Sequence, residues 1–191
     1  MADLSVFYKD GIPSDEYKVK TLCYLRRTNP QGQTEYLLGK HYKQDKWNGF
    51  GGKVGDKPEF KDETIEQSIE REGLEEFGIR VINPQKRGII LFVFKDDQGK
   101  ENKVLCHLFF ADKFEGEITQ STEMLSPTWF TADSMPWDEM WPNDRIWLEE
   151  VFKRDQFLEA EFKFDPTKGL IASETKMNWK DFSVLTPEIE N

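Results

Sequence analysis

The chain has 191 residues, of which 37% are hydrophobic and 32% charged, and its formal net charge at pH 7 is −10. This length suits one domain of about 100 to 200 residues, and the mixed composition argues against a disordered chain. The acidic charge argues against a polymeric nucleic acid partner, because phosphate-backbone binders need clustered lysine and arginine. A small polyanion is still a possible ligand of such an acidic protein if a divalent cation lies between its phosphates and the protein's carboxylates.

Neither the start of the chain nor its apolar runs indicate a membrane. No run approaches the roughly 18 to 20 apolar residues of a spanning helix, and the start lacks the pattern of a signal peptide. We therefore expect a cytoplasmic protein without a membrane partner. Cys23 and Cys106 lie in strand-like runs, which predicts buried, unreactive thiols.

The first half of the chain predicts a hairpin, a long loop and a helix. Residues 18–27 and 34–39 alternate as strands do, and NPQGQ between them forms a turn. A loop rich in glycine and lysine follows, which we interpret as functional and as containing a short strand. Residues 63–77 are the best helix candidate, and Gly78 is placed to be its C-cap.

The second half predicts two more hairpins and a second helix. Residues 86–95 and 102–112 are apolar strands joined by DDQGKE, and 126–131 is a further strand. Residues 143–158 have helical spacing, and a last hairpin surrounds PTKG. Strands with two helices predict a mixed α+β fold. We expect a domain over 18–179, an N-terminal extension over 1–17 and a C-terminal tail over 180–191.

The predicted helix carries carboxylates where core side chains are expected. Ile65, Ile69, Glu72 and Glu76 follow the spacing i, i+4, i+7, i+11 and share one stripe. Burying an ion costs several kcal/mol unless it is paired or bound to a metal, and acids near a helix C-terminus oppose the helix dipole. The alternative is a solvated, glutamate-rich helix end. Mg²⁺ or Mn²⁺ held by carboxylate oxygens would remove the conflict.

The same stretch, ETIEQSIEREGLEEFGI, resembles the Nudix box. That pattern is Gly, five residues, Glu, seven residues, then Arg-Glu-aliphatic-any-Glu-Glu-any-Gly-aliphatic, and residues 63–79 fit it with two departures. Gly73 replaces the aliphatic residue, which predicts a loss of about 1 kcal/mol in helix stability and a small gap beneath the helix. Ten residues instead of five separate Gly52 from Glu63, which indicates an insertion around DKPEF.

Other segments resemble one group within the Nudix family, the MutT homologues that hydrolyse oxidised purine nucleoside triphosphates. These segments are WNGFGGKV (47–54), SPTWF (126–130), DEMWPND (138–144) and EFKF (161–164). The resemblance implies a mixed sheet in an α/β/α sandwich. It also implies a magnesium-dependent pyrophosphohydrolase that removes 8-oxo-dGTP, and with it 2-oxo-dATP, from the nucleotide pool and so avoids DNA damage.

The resemblance further implies a set of site residues. The metal ligands would be the Gly51 carbonyl with Glu72, Glu75, Glu76 and Glu123. Arg71, Glu72 and Glu76 would be catalytic, and we favour Glu72 over Glu76 as the base toward water. Arg71 lies four residues before Glu75 and can hold that side chain in place. Lys53 and Lys40 are the implied phosphate contacts.

The implied contacts to the base are aromatic and polar residues: Thr21, Asn48, Phe92, Met124, Trp141, Asn143, Asp144 and Trp147. Aromatic faces stack on a purine, while amide and carboxylate groups pair with its polar edge. For Asn143 and Asp144 the alternative is a helix N-cap, and for the tryptophans it is core packing. The related enzymes have an aspartate where this chain has Asn143, which predicts a changed ranking of purine substrates. His41 and His107 are interpreted as incidental.

Two other functions stay open at this point. One is a Nudix hydrolase acting on a dinucleoside polyphosphate or a capped RNA end, and the other is a Nudix fold that binds without turnover. The intact Glu72, Glu75 and Glu76 disfavour the second of these. In each case we expect a monomer that binds a small nucleotide.

Overall fold

The computed structural model describes residues 4–7, 16–55 and 57–185, and the fold below refers to these residues. Two α-helices occur in this part of the chain, α1 (Ile65–Phe77) and α2 (Asp144–Lys153). The strands are β1 (Tyr17–Thr28), β2 (Thr34–His41), β3 (Lys46–Asn48), β4 (Ile79–Ile82), β5 (Gln85–Lys95), β6 (Glu101–Ala111), β7 (Lys113–Gly116), β8 (Met124–Thr131), β9 (Phe157–Asp165), β10 (Gly169–Leu170) and β11 (Lys176–Lys180).

Most strands join one mixed sheet in the order β10-β9-β5-β6-β1-β2-β3. β11 pairs with β9, β8 pairs with β2, and β4 and β7 form a separate two-stranded sheet. The β1–β6 and β5–β9 pairs are parallel, whereas the predicted hairpins β1–β2 and β5–β6 are antiparallel. These two predicted hairpins are therefore confirmed, and the third, around PTKG, is present as the antiparallel β9–β10 pair.

The two helices cover opposite faces of the sheet, because neighbouring side chains on a strand point to opposite sides. On β1, Cys23 packs in the cluster that contains Ile65 and Ile69 of α1. The next residue, Tyr24, packs in the cluster that contains Trp147 of α2. The predicted α+β fold with a sheet between helices is confirmed.

Helix α1 has strong local signals at both ends. The Thr64 side chain accepts the backbone N–H of Gln67, and the Gln67 side chain accepts the N–H of Thr64, a capping box. Gly78 ends the helix in the left-handed region, with a φ of 69°. The predicted C-cap is confirmed, while the helix begins at Ile65 rather than at residue 63.

Two expectations about the helices are wrong. Helix α2 ends at Lys153 instead of residue 158, because Arg154 is extended and Phe157 begins the central strand β9. No gap lies beneath Gly73: a Cβ there would be 3.3 Å from Val81 Cγ2 and 3.4 Å from a ring carbon of Phe50. The neighbouring strand and Phe50 fill the space that an aliphatic side chain would take.

Both described ends of the chain pack on the sheet. Leu4 and Phe7 are buried in a third core cluster with residues of β5 and β6. The last described segment packs against the same cluster through Phe182, Val184 and Leu185. The predicted limits of the extension, domain and tail stay predictions, and most of residues 1–17 and the last six residues lie outside the described part.

The described residues include both cysteines and the two helices that could be compared with a membrane span. Cys23 and Cys106 are free and buried, as predicted, and burial raises the pKa of the Cys106 thiol to about 12. None of the described helices is long and apolar enough to cross a membrane.

Candidate active site

The acidic stripe of α1 is buried along its whole length. Ile65 and Ile69 are fully buried, and Glu72 and Glu76 are only 9% and 6% exposed. Glu75, one position off the stripe, has a side chain that is 49% exposed. The helical spacing therefore predicted correctly which carboxylates are withdrawn from water.

Arg71 holds three carboxylates together. Its guanidinium donates to Glu63 at 2.7 Å, to Glu72 at 2.8 Å and to Glu75 at 3.0 Å. It also donates to the carbonyl oxygen of Lys53 at 3.1 Å. These charged partners raise the pKa of Arg71, and only a planar five-donor group can serve them all.

Glu63 is a partner of Arg71 for which the sequence analysis predicted no role. Its side chain is only 5% exposed, and its second oxygen accepts the N–H of Gly55 at 3.2 Å. This carboxylate ties the loop before α1 to Arg71. The Arg71-to-Glu75 contact predicted from the four-residue spacing is present as well.

Glu76 is buried beside the loop that precedes the helix. One carboxylate oxygen accepts the backbone N–H of Gly51 at 3.0 Å. Burial, and then repulsion from Glu72, Glu123 and Glu75, raise the pKa of Glu76 to about 8, although the Gly51 N–H opposes this. Burial also raises the pKa of Glu72, which the Arg71 guanidinium partly offsets.

The loop passes so closely between β1 and α1 that it requires glycine. Gly51 has a φ of 144°, and a Cβ there would lie 2.3 Å from the carbonyl oxygen of Thr21. A Cβ on Gly52 would lie 2.1 Å from Glu72 Oε1. The loop is fixed by the Thr21 N–H, which donates to the Gly52 carbonyl at 2.9 Å.

The carboxylates suit a hard divalent cation in chemistry, although they are not gathered into a preformed centre. Among the described residues, no three His, Cys, Asp or Glu side chains are close enough to hold a metal ion. Glu72 Oε2 and Glu76 Oε1 accept no hydrogen bond there, so each carboxylate keeps one oxygen available. Oxygen donors of this kind fit Mg²⁺ or Mn²⁺.

One cavity of about 850 Å³ brings the predicted site residues together. At its acidic end lie Arg71, Glu72, Glu75, Glu76 and Glu123, with Gly51 and Lys53 beside them. At its aromatic end lie Asn48, Phe92, Trp141, Asn143, Asp144 and Trp147. Thr21 and Met124 also line the cavity. A pocket of this size is typical of small-molecule sites.

The aromatic end contains a buried amide and a buried carboxylate side by side. Asn143 Nδ2 donates to Asp144 Oδ1 at 3.4 Å, and Asp144 Oδ2 accepts the N–H of Trp141 at 3.3 Å. Burial raises the pKa of Asp144 to about 7, while the hydrogen bond from Trp141 opposes the shift. At neutral pH this carboxyl can therefore either donate or accept a proton.

The Asn48 side chain, which also lines the cavity, is held in place by hydrogen bonds. Its Oδ1 accepts the hydroxyl of Tyr24 at 2.8 Å and the N–H of Gly49 at 2.9 Å. Because the oxygen is occupied, the amide N–H₂ is the group left for a ligand. The indole N–H of Trp147 faces Asp144 and lowers its pKa, yet it makes no hydrogen bond of normal geometry with the described residues.

Comparison with known proteins identifies the family. The family model for the NUDIX domain matches residues 17–151. The chain belongs to the Nudix family. The predicted family resemblance is thus confirmed, and the predicted enzyme class, a Nudix hydrolase, agrees with relatives that are named as hydrolases.

Two curated relatives of this Nudix protein are named oxidized purine nucleoside triphosphate hydrolase. The protein from Danio rerio is 43% identical over 119 residues, which cover 62% of this chain and 70% of the relative. The protein from Mus musculus is 40% identical over 127 residues, covering 66% and 75%. A crystal structure of a mutator MutT protein from Bacillus halodurans superposes with a TM-score of 0.68 at 26% identity, covering 84% of this chain and 97% of that one.

Lys40 is the predicted contact that this Nudix fold places elsewhere. Its ammonium pairs with Asp45 at 3.0 Å and Glu139 at 2.9 Å, and Lys40 is absent from the cavity lining. These two carboxylates raise its pKa. Lys40 pairs with Trp47 on β3, and its neighbour His41 lines the cavity. Because successive side chains on a strand point to opposite faces, Lys40 points away from the cavity.

The alternatives for the aromatic end have different outcomes. Asn143 occupies the N-cap position of α2, but its side chain makes no capping hydrogen bond. Trp147 is fully packed in the core and also lines the cavity, so core packing and cavity lining coexist. Trp141 is 39% exposed at the cavity rim, which is unlike a core residue.

Several cavity residues carried no sequence signal. Lys20, Lys46 and Lys57 line the cavity from three separate segments, and Phe94 and Phe164 stack there with ring centroids 4.8 Å apart. His41, interpreted as incidental, lines the cavity too. His107 is buried outside it, and burial lowers its pKa to about 3. Isolated lysines become recognisable only once the loops are placed.

Proposed function

We propose that this Nudix hydrolase is a magnesium-dependent pyrophosphohydrolase of oxidised purine nucleoside triphosphates, such as 8-oxo-dGTP and 2-oxo-dATP. The products are the nucleoside monophosphate and pyrophosphate. One observation carries the proposal: a single cavity has buried carboxylates at its acidic end and aromatic rings with a buried polar pair at its aromatic end. The names of the two vertebrate relatives support the same substrate.

The acidic end would hold the cation and the phosphates. The proposed ligands are the Gly51 carbonyl and the carboxylates of Glu72, Glu75, Glu76 and Glu123. A bound divalent cation would neutralise phosphate charge and make a water more acidic. Arg71 would keep Glu72 and Glu75 oriented through its hydrogen bonds. Lys53 is the proposed phosphate contact. Lys40 is not included in the proposal, because its ammonium pairs with Asp45 and Glu139.

The proton of the attacking water would pass to Glu72. Arg71 donates to Glu72 Oε1 and so orients this carboxylate, and the guanidinium partly offsets the rise in the pKa of Glu72 that burial causes. Glu76 has a pKa raised to about 8, which suits a residue that needs a cation beside it to remain ionised. The water oxygen bonds to phosphorus as the phosphoanhydride bond breaks, and pyrophosphate leaves with the bonding electrons.

The aromatic end would select the purine. Trp141 and Phe92 offer ring faces for stacking, and the amide of Asn48 offers donors for the purine edge. Asp144, with a pKa of about 7, can donate to one purine oxygen or accept from a ring N–H, and Asn143 can do either at any pH. Oxidised purines differ from normal ones in these donor and acceptor positions.

A nucleotide panel tests the proposal. Pyrophosphate release is measured for 8-oxo-dGTP, 2-oxo-dATP, dGTP, a dinucleoside polyphosphate and a capped RNA end, each with and without Mg²⁺. We expect the highest kcat/KM with an oxidised purine triphosphate and none without the metal. Faster cleavage of the dinucleoside polyphosphate or of the capped RNA end would show that this compound, and not an oxidised purine triphosphate, is the substrate. Nucleotide binding without release of pyrophosphate would show that the protein is a binding module. We further propose that the protein acts on free nucleotides as a monomer in the cytoplasm.

A further inference from the structure

The loop before α1 is longer than the Nudix pattern by five residues, and the extra segment is anchored at both sides. It forms a short turn, Pro58–Phe60, in which the Phe60 N–H donates to the Lys57 carbonyl at 2.9 Å. The Glu63 N–H then donates to the Phe60 carbonyl at 2.9 Å. Because Glu63 is also held by Arg71, the insertion is attached directly to the acidic end.

Phe60 packs against the central arginine of the site. The guanidinium carbon of Arg71 lies 4.7 Å from the centre of the Phe60 ring. The ammonium of Lys57 lies 5.4 Å from the same ring. One aromatic side chain in the insertion thus contacts two cations, which favours a fixed position for both.

Lys57 is suited to bind an anion. It lines the cavity, and within the described part of the chain it makes no ion pair. Lys61 in the same insertion is different, because its side chain is 75% exposed, its nearest carboxylate is Asp62 at 3.9 Å, and it is absent from the cavity lining. A lysine ammonium on a flexible stem is a compact charge that binds phosphate well.

We propose that Lys57 binds the terminal phosphate of the substrate and that Phe60 positions this lysine next to Arg71. This assignment rests on the proposed function for the orientation of the nucleotide, with its base at the aromatic end and its phosphates at the acidic end. The insertion then favours triphosphates over shorter phosphate chains, because the proposed contact is made by the terminal phosphate.

Binding measurements test the assignment without relying on turnover. Calorimetry with Mg²⁺ and inorganic tripolyphosphate compares the wild type with Lys57→Ala, Lys57→Arg and Lys61→Ala. We expect about a tenfold rise in Kd for Lys57→Ala, most of the affinity retained in Lys57→Arg, and no change in Lys61→Ala. Binding of the nucleoside monophosphate is expected to be equal in all four proteins, because it lacks the terminal phosphate.

The possible results separate this assignment from the substrate proposal. Equal tripolyphosphate affinity in Lys57→Ala and Lys61→Ala, or no binding by the wild type, overturns the role of Lys57. Lys57-dependent binding without hydrolysis of any oxidised purine triphosphate supports the phosphate contact and removes the substrate proposal. Thermal melting checks that each variant is folded, which we expect because both lysines are exposed.

Discussion

The acidic and aromatic ends of the cavity are built in opposite ways. At the acidic end, Arg71, Glu72, Glu75 and Glu76 come from two turns of a single helix. At the aromatic end, Asn48, Phe92 and Asp144 come from β3, β5 and α2, far apart in the chain. The first set is arranged by helix geometry, whereas the second exists only when the sheet and α2 are assembled.

The two ends also handle buried charge differently. At the acidic end, several carboxylates share one guanidinium and the N–H of Gly51. At the aromatic end, Asp144 has an amide and a backbone N–H as partners, and burial raises its pKa to about 7. Removing a group from the acidic end should therefore change the environment of several charged side chains. A substitution at the aromatic end should change only the protonation of Asp144 and its contact with a ligand.

The largest effect is expected for Glu76→Gln. The amide oxygen can still accept the Gly51 N–H, so the fold should be kept, but the variant loses an anionic oxygen donor. We expect kcat for an oxidised purine triphosphate to fall by about 10²–10⁴-fold, measured as pyrophosphate release with Mg²⁺. Glu66→Gln, on the exposed side of the same helix, is the control and should be fully active. Full activity of Glu76→Gln would remove Glu76 from the metal site.

Arg71→Ala should lower the stability of the fold. It leaves the buried Glu63 and Glu72 without their cation, which is expected to lower the free energy of unfolding by about 3 kcal/mol. Urea denaturation measures this loss. Arg80→Ala removes only an exposed ion pair of 3.7 Å with Glu70 and should cost less than about 0.5 kcal/mol. Equal losses in both variants would mean that the network around Arg71 contributes little.

Asp144→Asn tests the isolated carboxyl at the aromatic end. The pKa of Asp144 is about 7 in the folded protein and 3.8 in the unfolded chain. Between pH 4 and 7 the unfolded chain therefore loses this proton more readily than the folded protein, and the wild type becomes less stable as the pH rises through this range. The variant should therefore gain stability relative to the wild type as the pH rises, by on the order of 1–3 kcal/mol. Thermal melting from pH 4 to 8 measures this, and parallel curves would argue against a buried carboxyl.

The smallest effect is expected for Asn143→Asp, which introduces the acidic pair that the family resemblance implies for the related hydrolases. The wild type should keep a purine preference but rank 8-oxo-dGTP, 2-oxo-dATP and dGTP differently from those enzymes. The variant should shift the ratios of kcat/KM by up to about tenfold, because a carboxyl donates only when protonated. Steady-state kinetics with the three substrates checks this, and an unchanged ranking would show that residue 143 does not select the base.

The features predicted best were those that depend on near neighbours in the chain. The stripe from Ile65 to Glu76 and the Gly78 cap follow from helix geometry, and the hairpins follow from strand alternation around short turns. The short strands β4, β7 and β11 were not predicted, because four or five residues carry little periodicity. The end of α2 was placed too late, since the apolar pattern continues into the buried strand β9.

The sequence alone determined that α1 withdraws two carboxylates from water, because residues at i, i+4, i+7 and i+11 share a helix face whatever the rest of the chain does. Only the tertiary structure decided which distant groups meet them. Pairing of β8 with β2 placed Glu123 at the cavity, and the path of the loop before α1 placed Lys57 there. Asp45, in the turn after β2, and Glu139 instead hold Lys40 outside the cavity lining. A local pattern carries no information on such long-range contacts, which form only when strands and loops are assembled around a common core.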